Sequence, residues 1–363
     1  MTPRDVQMLI QSGRELHGLR LQGMDFRGLN LSGAIMADTD LSGADLSGAQ
    51  LNGSMFVDCL WSGAVFEHAK LDQCAVRGGD ATGVRMSGAS MSDASFHGVA
   101  LSASNFDNVQ AGALSFSECD LSGASFKNIG SQMLVFYEGM LDRTDFSGSL
   151  LFQTTFYQSD LRTSIFDGCR FDKTIFTESN LSGRSLKGLA FATCQFTDAL
   201  LHGCDFDGAT LHRCNFKGAK LEGASLRSAV ASQCVFASAD MNGVPCNGSD
   251  FSQSVWADAQ LRKTDFSGAN LEQCVFHRAR CEGAVFDGAQ LAYADFSYAD
   301  LREADFRNAT LMRTRVHRTL LEGTQFSDRG GLLQNDSALF AAEEFSARRP
   351  RHRDQHGPRG RPA

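Results

Sequence analysis

At 363 residues, with a formal charge of −8 and 42% hydrophobic content, the chain has the length of two ordinary globular domains. No run approaches the ~18 apolar residues of a membrane span, and the N-terminus lacks the basic, apolar and small-residue succession of a cleaved leader. The chain is therefore read as cytoplasmic, or exported by a route that needs no leader.

Taken in order, Thr2-Pro3 reads as an N-cap followed by proline at the first helical position, with Asp5 in the first turn. This predicts a helix over 3–12 that ends at Gly13, so residues 1–13 form an N-terminal cap. From Leu16 to Phe326 every fifth position then belongs to one series, without insertion or deletion: Leu16, Leu21, Phe26, Leu31, Met36 and onward to Leu321 and Phe326. We call this position the centre. The residue two before it is small almost throughout, as at Ala34, Ala44, Ala64, Ala89 and Ala304, with Ser, Thr or Cys at many others. The other three positions are mostly polar. Two inward residues alternating with outward polar ones is strand patterning, here broken by a turn every five residues; a helix needs a period of about 3.6. Of the 36 glycines, 27 lie two after a centre, where a positive φ costs least.

The segments ADLSG at 44–48, TDFSG at 144–148 and ADFRN at 304–308 resemble the pentapeptide-repeat family, whose consensus is A(D/N)LXX. The resemblance covers about 16–328. It implies an all-β protein, a right-handed quadrilateral β-helix with four repeats to a coil, spanning 14–328. At ~4.8 Å per coil such a rod of nearly sixteen coils is roughly 75 Å long. Residues 20 apart then stack. The centres from Phe96 to Phe296 in that step are aromatic for eleven consecutive coils, with Trp256 in place of one Phe. A second column, including Phe106, Phe126, Phe146 and Phe166, is mostly Phe, and the other two are mainly Leu. These rings are core.

Beyond the repeats, 329–347 is read as a linker and C-terminal capping helix. Asp336 or Ser337 caps it, it covers about 338–347, and Leu339, Phe340 and Phe345 are placed to cover the last coil. Residues 348–363, RRPRHRDQHGPRGRPA, hold six Arg and one Asp, leaving −13 for the rest of the chain. That segment is read as a disordered basic tail with no partner identified.

Chemistry-bearing patterns are sparse. Nine of the eleven cysteines, among them Cys204, Cys214 and Cys234, occupy the small inward position, and Cys246 and Cys281 are centres. They act as compact fillers in keeping with a reducing compartment. His202-Gly-Cys204 and His212-Arg-Cys214 mimic ligand spacing, but each His points outward and each Cys inward, so no metal site is predicted. No nucleophile, base and orienting group converge and no phosphate-binding loop is present, so neither catalysis nor a cofactor is expected. Arg184 is the one charged residue in the repeats at the small inward position, and a local distortion is expected to carry it to solvent.

The outward positions differ between faces. Two adjacent faces carry most of the turn glycines and many acids, such as Asp25, Asp45, Asp145, Asp265 and Asp305. The face around the aromatic column instead shows Ile35, Met55, Val135, Tyr137, Tyr157, Ile175 and Val275, with Met133 and Phe152 at its corner. A contiguous apolar strip on a rigid rod marks a protein contact. The predicted protein-binding residues are thus Met133, Val135, Tyr137, Phe152, Tyr157 and Ile175, for a partner protein or a second copy. No nucleic acid is expected on the body.

The opening TPRDVQMLIQSGRELHGLRLQGMDFRGLNLSG is similar to the helix-then-repeat start of pentapeptide proteins associated with bacterial type VI secretion. That implies an accessory or adaptor role in effector loading. The family also includes acidic rods that mimic duplex DNA and bind and protect type II topoisomerases such as gyrase. This is the alternative, and Arg27, Lys127, Arg162, Arg227 and Arg302 dilute the acidic faces against it.

Overall fold

In the computed structural model, which describes residues 1–130, 133–334 and 336–347, main-chain pairing runs in steps of 20. The tail expected to be disordered, 348–363, lies outside the described residues. Each coil pairs in parallel with the next along four ladders, as Arg20 with Asp40, Asp25 with Asp45, Asn30 with Gln50, and Ile35 with Met55. Four ladders per coil make a four-walled parallel β-helix.

One wall is regular enough to form a continuous eight-stranded sheet. It contains β1 (Leu16–His17), β2 (Ile35–Ala37), β3 (Met55–Val57), β4 (Ala75–Arg77), β5 (Ala94–His97), β6 (Leu114–Ser117) and β7 (Leu134–Tyr137). On the next wall lies β8 (Leu150–Phe152), and β9 (Thr155–Tyr157) completes the first sheet. The strands β10 (Arg170–Asp172) and β11 (Ala190–Ala192) continue the wall of β8. Near the end, β12 (Asp305–Phe306) pairs with β14 (Gln325–Phe326), and β13 (Thr314–Arg315) with β15 (Leu332–Leu333).

The corner two residues after each centre is left-handed whatever residue occupies it. From Gly18 to Gly323 every such position has a positive φ except Ala113 and Thr163. Lys, Arg, Gln and Tyr therefore adopt at corners a conformation that L-residues ordinarily avoid, held there by the pairing on either side. Many acids just before a centre serve the turn that follows. The Asp40 carboxylate accepts the Ser42 amide at 2.9 Å, and Asp145 and Asp265 repeat this for Ser147 and Ser267. These are side-chain turns that satisfy the amide just before the corner.

The small inward position does more than save space. Its hydroxyl or thiol donates to the carbonyl of the centre 23 residues earlier, as Thr174 to Leu151 at 2.7 Å, Ser179 to Phe156 at 2.9 Å and Cys234 to Leu211 at 2.8 Å. Ser, Thr and Cys alternate with Ala there because each can meet a buried acceptor. All eleven cysteines are buried and free. Between the walls, rings stack along a column and meet edge-on across the core. Phe136 stacks on Phe116 and Phe156 with centroids 5.5 and 5.1 Å away, and meets Phe126 and Phe146 at 87° and 81°.

At the N-terminus α1 (Pro3–Gln11) is closed by a reciprocal cap. Thr2 accepts the Asp5 amide at 3.3 Å, and Asp5 accepts the Thr2 amide at 2.7 Å. Val6 and Ile10 are buried against the first coil. The other end departs from expectation. Pairing continues past 328, and Thr314 meets Leu332, a step of 18 instead of 20. The helix α2 (Ser337–Ala347) is capped by Asp336, which accepts the amides of Ala338 and Leu339 at 3.0 Å each. Yet Leu339, Phe340 and Phe345 do not bury as a cap over the last coil and stay 46%, 36% and 62% exposed. Contacts of α2 instead reach His317 and Arg318, and the guanidinium of Arg329 covers Phe326 at 4.6 Å.

Arg184 perturbs the coil, as expected, and remains half-buried. Its guanidinium lies over the Phe166 ring and donates to the Arg162 carbonyl at 3.3 Å, while its Nε is buried without a partner. Ile165 bridges to Asp145 and Ser185 to Asp205, but the ladder has no bridge between the described residues Ile165 and Ser185.

Candidate protein-binding surface

The parallel register that stacks identical positions also decides which predicted contact residues meet. Tyr137 and Tyr157 pair directly, and their rings stack with centroids 5.3 Å apart and planes 11° apart. Tyr137 is 40% exposed. Its hydroxyl bonds to the Glu138 carboxylate, which holds the phenol above its ordinary pKa. At the corner the Met133 amide donates to the Phe152 carbonyl at 3.2 Å. Met133, at φ 63°, is exposed, and Phe152 is half-covered with the Lys173 ammonium 5.0 Å above its ring. Val135 stands two residues before Tyr137 on the same strand. These five residues form one patch over two coils.

Ile175 belongs to it only at a remove. It bridges to Thr155, which itself pairs with Val135, so a hydroxyl residue separates the two aliphatic ones. The strip is thus a local patch near 133–157 and not an unbroken stripe. Leu150 and Met140 were missed as exposed apolar residues near these coils, at 48% and 59% exposure. The signal was available: each is apolar at an outward position that is polar in most repeats.

Beside the patch runs a shallow groove of about 370 Å³, lined by Ala94, Ser95, Ala113, Leu114, Met133 and Val135. In the neighbouring centre column Ala111 stands in place of a large residue. Two residues on, the turn at Ala113 loses its left-handed form.

The histidines and acids assemble no comparable centre. The His212 ring bonds to Ser232 Oγ at 2.8 Å, while Cys204 donates inward to the Leu181 carbonyl at 3.1 Å. Among the described residues no group of three or more His, Cys, Asp or Glu side chains is placed to hold a metal ion. On the acidic faces several of the charges are answered locally. Asp25 pairs with Arg27, Asp160 with Arg162, Asp300 with Arg302 and Asp305 with Arg307, at 2.6 or 2.7 Å. Lys127 reaches Asp145 in the following coil at 3.0 Å. No helix among the described residues is long and apolar enough to cross a membrane.

Family profiles match most of the rod. A pentapeptide repeat region matches 209–286, a nine-copy pentapeptide-repeat profile 266–310, and an eight-copy profile 15–48, 44–80, 69–108 and 144–183. Comparison with curated proteins finds no match. Among solved structures, the chain is similar to HetL, a pentapeptide repeat protein involved in heterocyst differentiation regulation from the cyanobacterium Nostoc sp. strain PCC 7120. The identity is 21% over 73% of this chain and 96% of that one, with a TM-score of 0.26. It is similar also to QnrB1, a plasmid-mediated fluoroquinolone resistance protein, at 20% identity over 63% of this chain and 95% of that one, with a TM-score of 0.31. A pentapeptide repeat protein of the Arabidopsis thaliana thylakoid lumen is 34% identical over 26% of this chain and 61% of that one, with a TM-score of 0.20.

Proposed function

Because the chain belongs to the pentapeptide-repeat family, we propose that it is a non-catalytic scaffold that holds a protein partner against one wall. The observation that carries this is the Tyr137–Tyr157 stack, with Val135 on the same sheet and Met133 and Phe152 at the adjoining corner. Stacked aromatic rings already fixed in place lose little entropy on docking, which is why Tyr anchors recur at binding hot spots. An accessory or adaptor role in type VI secretion is the specific form of this reading, supported by the helix-capped opening of the rod.

The alternative of a DNA mimic acting on gyrase has weaker physical support. A mimic needs an unanswered line of negative charge to replace phosphates. Here carboxylates bond to the backbone amides and side chains of arginines two residues on.

The test is affinity purification with wild-type protein and a Tyr137→Asp/Tyr157→Asp variant, with sedimentation to read self-association. The expected result is a partner, or a second copy, held by wild type and lost from the variant. Identical partner sets and identical sedimentation would sink the proposal. Protection or inhibition of gyrase in a supercoiling assay at micromolar protein would favour the alternative.

A further inference from the structure

The docking of α2 beside the last coils forms one side of a half-open pocket of about 740 Å³, well away from the tyrosine patch. Its walls include Leu332, Leu333 and Leu339 on one side, and His277, Tyr298 and His317 on the other. The three rings form an edge-to-face chain, with Tyr298 4.9 Å from His277 and 5.6 Å from His317. A volume of this size, part apolar and part polar, suits a small ligand.

The decisive group is His317. It is 3% exposed, and its Nδ1 is buried with no hydrogen-bond partner. The other ring nitrogen, Nε2, lies 3.4 Å from the Glu343 carboxylate, which also accepts Arg318 at 2.5 Å. A carboxylate only accepts, so Nε2 donates to it, and in the neutral ring Nδ1 then presents a lone pair. Buried acceptors are rarely left unanswered in a folded protein. What the neutral ring lacks at Nδ1 is therefore a donor.

The rest of the lining specifies its charge. Three carboxylates, Asp295, Asp336 and Glu343, face the pocket; Arg315 stands 3.8 Å from Asp295 and Arg318 answers Glu343, so the acids outnumber the guanidinium groups by one. Asp295 meets Ser297 through Oδ1 and Arg315 only through Oδ2. Among the described residues no three such ligands converge as a metal would require. We propose that this cavity binds an alkyl guanidinium or ammonium group, its N–H donated to His317 Nδ1, its charge met by Asp295, and its chain lying along Leu332 and Leu339. The aromatic wall suits a cation. Two sources share this chemistry: a free amine, and an arginine side chain from residues 348–363, which hold six and follow α2 directly.

The test is calorimetric titration of the full chain with agmatine, and with glutarate as the anionic control. Saturable one-to-one binding of agmatine is expected, at least tenfold weaker in His317→Phe and Asp295→Asn, and unchanged in Tyr137→Asp. Asp295→Asn keeps an oxygen for Ser297, so it reports on charge even if His317→Phe disturbs the fold. A full chain with serine at the six tail arginines separates the sources. At least tenfold tighter agmatine binding than wild type identifies the tail as the resident cation; equal binding identifies a free amine. No saturable binding to either chain, binding indifferent to both variants, or preference for glutarate would overturn the assignment.

Discussion

The guanidinium of Arg184 lies 5.6 Å over the ring of Phe166, and where it enters, the ladder between Ile165 and Ser185 is interrupted. An arginine has been accepted at a position built for Ala, Ser, Thr or Cys. Its buried Nε has no partner, and burial pulls its pKa down. Replacement with Thr, which at this position elsewhere donates to the centre carbonyl 23 residues back, restores both the volume and the bond. Arg184→Thr is expected to raise stability by about 1–2 kcal/mol, read as a higher urea midpoint at an unchanged slope. A lower midpoint would mean that the wedge is itself part of the packing.

Inside and outside of the same strand give opposite outcomes. Phe136 is buried among four rings, whereas Tyr137 beside it is 40% exposed. Phe136→Ala is expected to cost about 3–5 kcal/mol. Tyr137→Asp should cost no more than about 1 kcal/mol while abolishing partner capture. Denaturation of both variants beside the binding assay checks the pair. Similar losses of stability would show that the tyrosines hold the rod together instead of serving a surface.

The arrangement of core and surface was legible in the sequence because a five-residue step has one solution: each position keeps its side of the wall for the whole rod. That let Phe136 be read as inward and Tyr137 as outward. What pattern could not show lies where the pattern stops or bends. The 18-residue step to Leu332 follows Phe326, beyond the last repeat, so no period predicts it. The site of α2 depends on Glu343 finding His317 and Arg318, a contact between segments with no shared register. The break in the strip at Thr155 was visible as a residue. Its effect appears only when coils are aligned and Thr155 falls between Val135 and Ile175.

Glycines that look alike in the sequence differ in what surrounds them. Gly33 sits at a corner with φ 72° and no atom within 4 Å of where a Cβ would stand. Gly79, at φ 83°, would drive that carbon into the Cys59 carbonyl oxygen of the preceding coil, far inside contact distance. Gly33→Ala is expected to cost about 1 kcal/mol, the strain of a left-handed L-residue. Gly79→Ala must push two coils apart and should cost more than about 3 kcal/mol. Melting temperatures of the two variants rank them directly, and equal shifts would refute the contact argument.

Stability should hold a plateau in pH bounded by two different chemistries. The Arg27 guanidinium bonded to Asp25 holds that carboxyl down at about 2. The same pairing recurs as Arg162 with Asp160, Arg302 with Asp300 and Arg307 with Asp305, each arginine lowering its carboxyl. A carboxyl whose pKa is lower in the folded chain stabilises above its ordinary value, 3.8, and loses that contribution as pH falls toward about 2. Each pair is exposed and screened, so the individual contributions are small and the acid limit is their sum. At the other end burial raises the thiols, Cys169 and Cys204 to about 11 and Cys74 to about 12, from an ordinary 9.0. Here the sign reverses: the unfolded chain loses these protons first, so stability is full below about pH 9 and falls as pH rises through the folded values. Urea midpoints are therefore expected to be flat between about pH 5 and 8, to fall below about 4, and to fall again above about 9. Asp305→Asn and Asp300→Asn together should flatten the acid limb and leave the alkaline limb unchanged. An alkaline limb missing from the midpoints would contradict the link between burial and the thiols.

The same burial sets the reactivity of those thiols. A thiolate is the reacting species, and a group that is both covered and held protonated offers none to a reagent. All eleven cysteines are buried, and along the rod they sit on inward positions fixed by pairing on either side. None is expected to react with a thiol-specific reagent at pH 8 in the native rod, and all eleven should react in denaturant. Counting labels by intact mass checks this. Rapid labelling of the native chain would contradict the placement of the cysteines in the core, whereas labelling confined to one or two sites would locate the coils that open first.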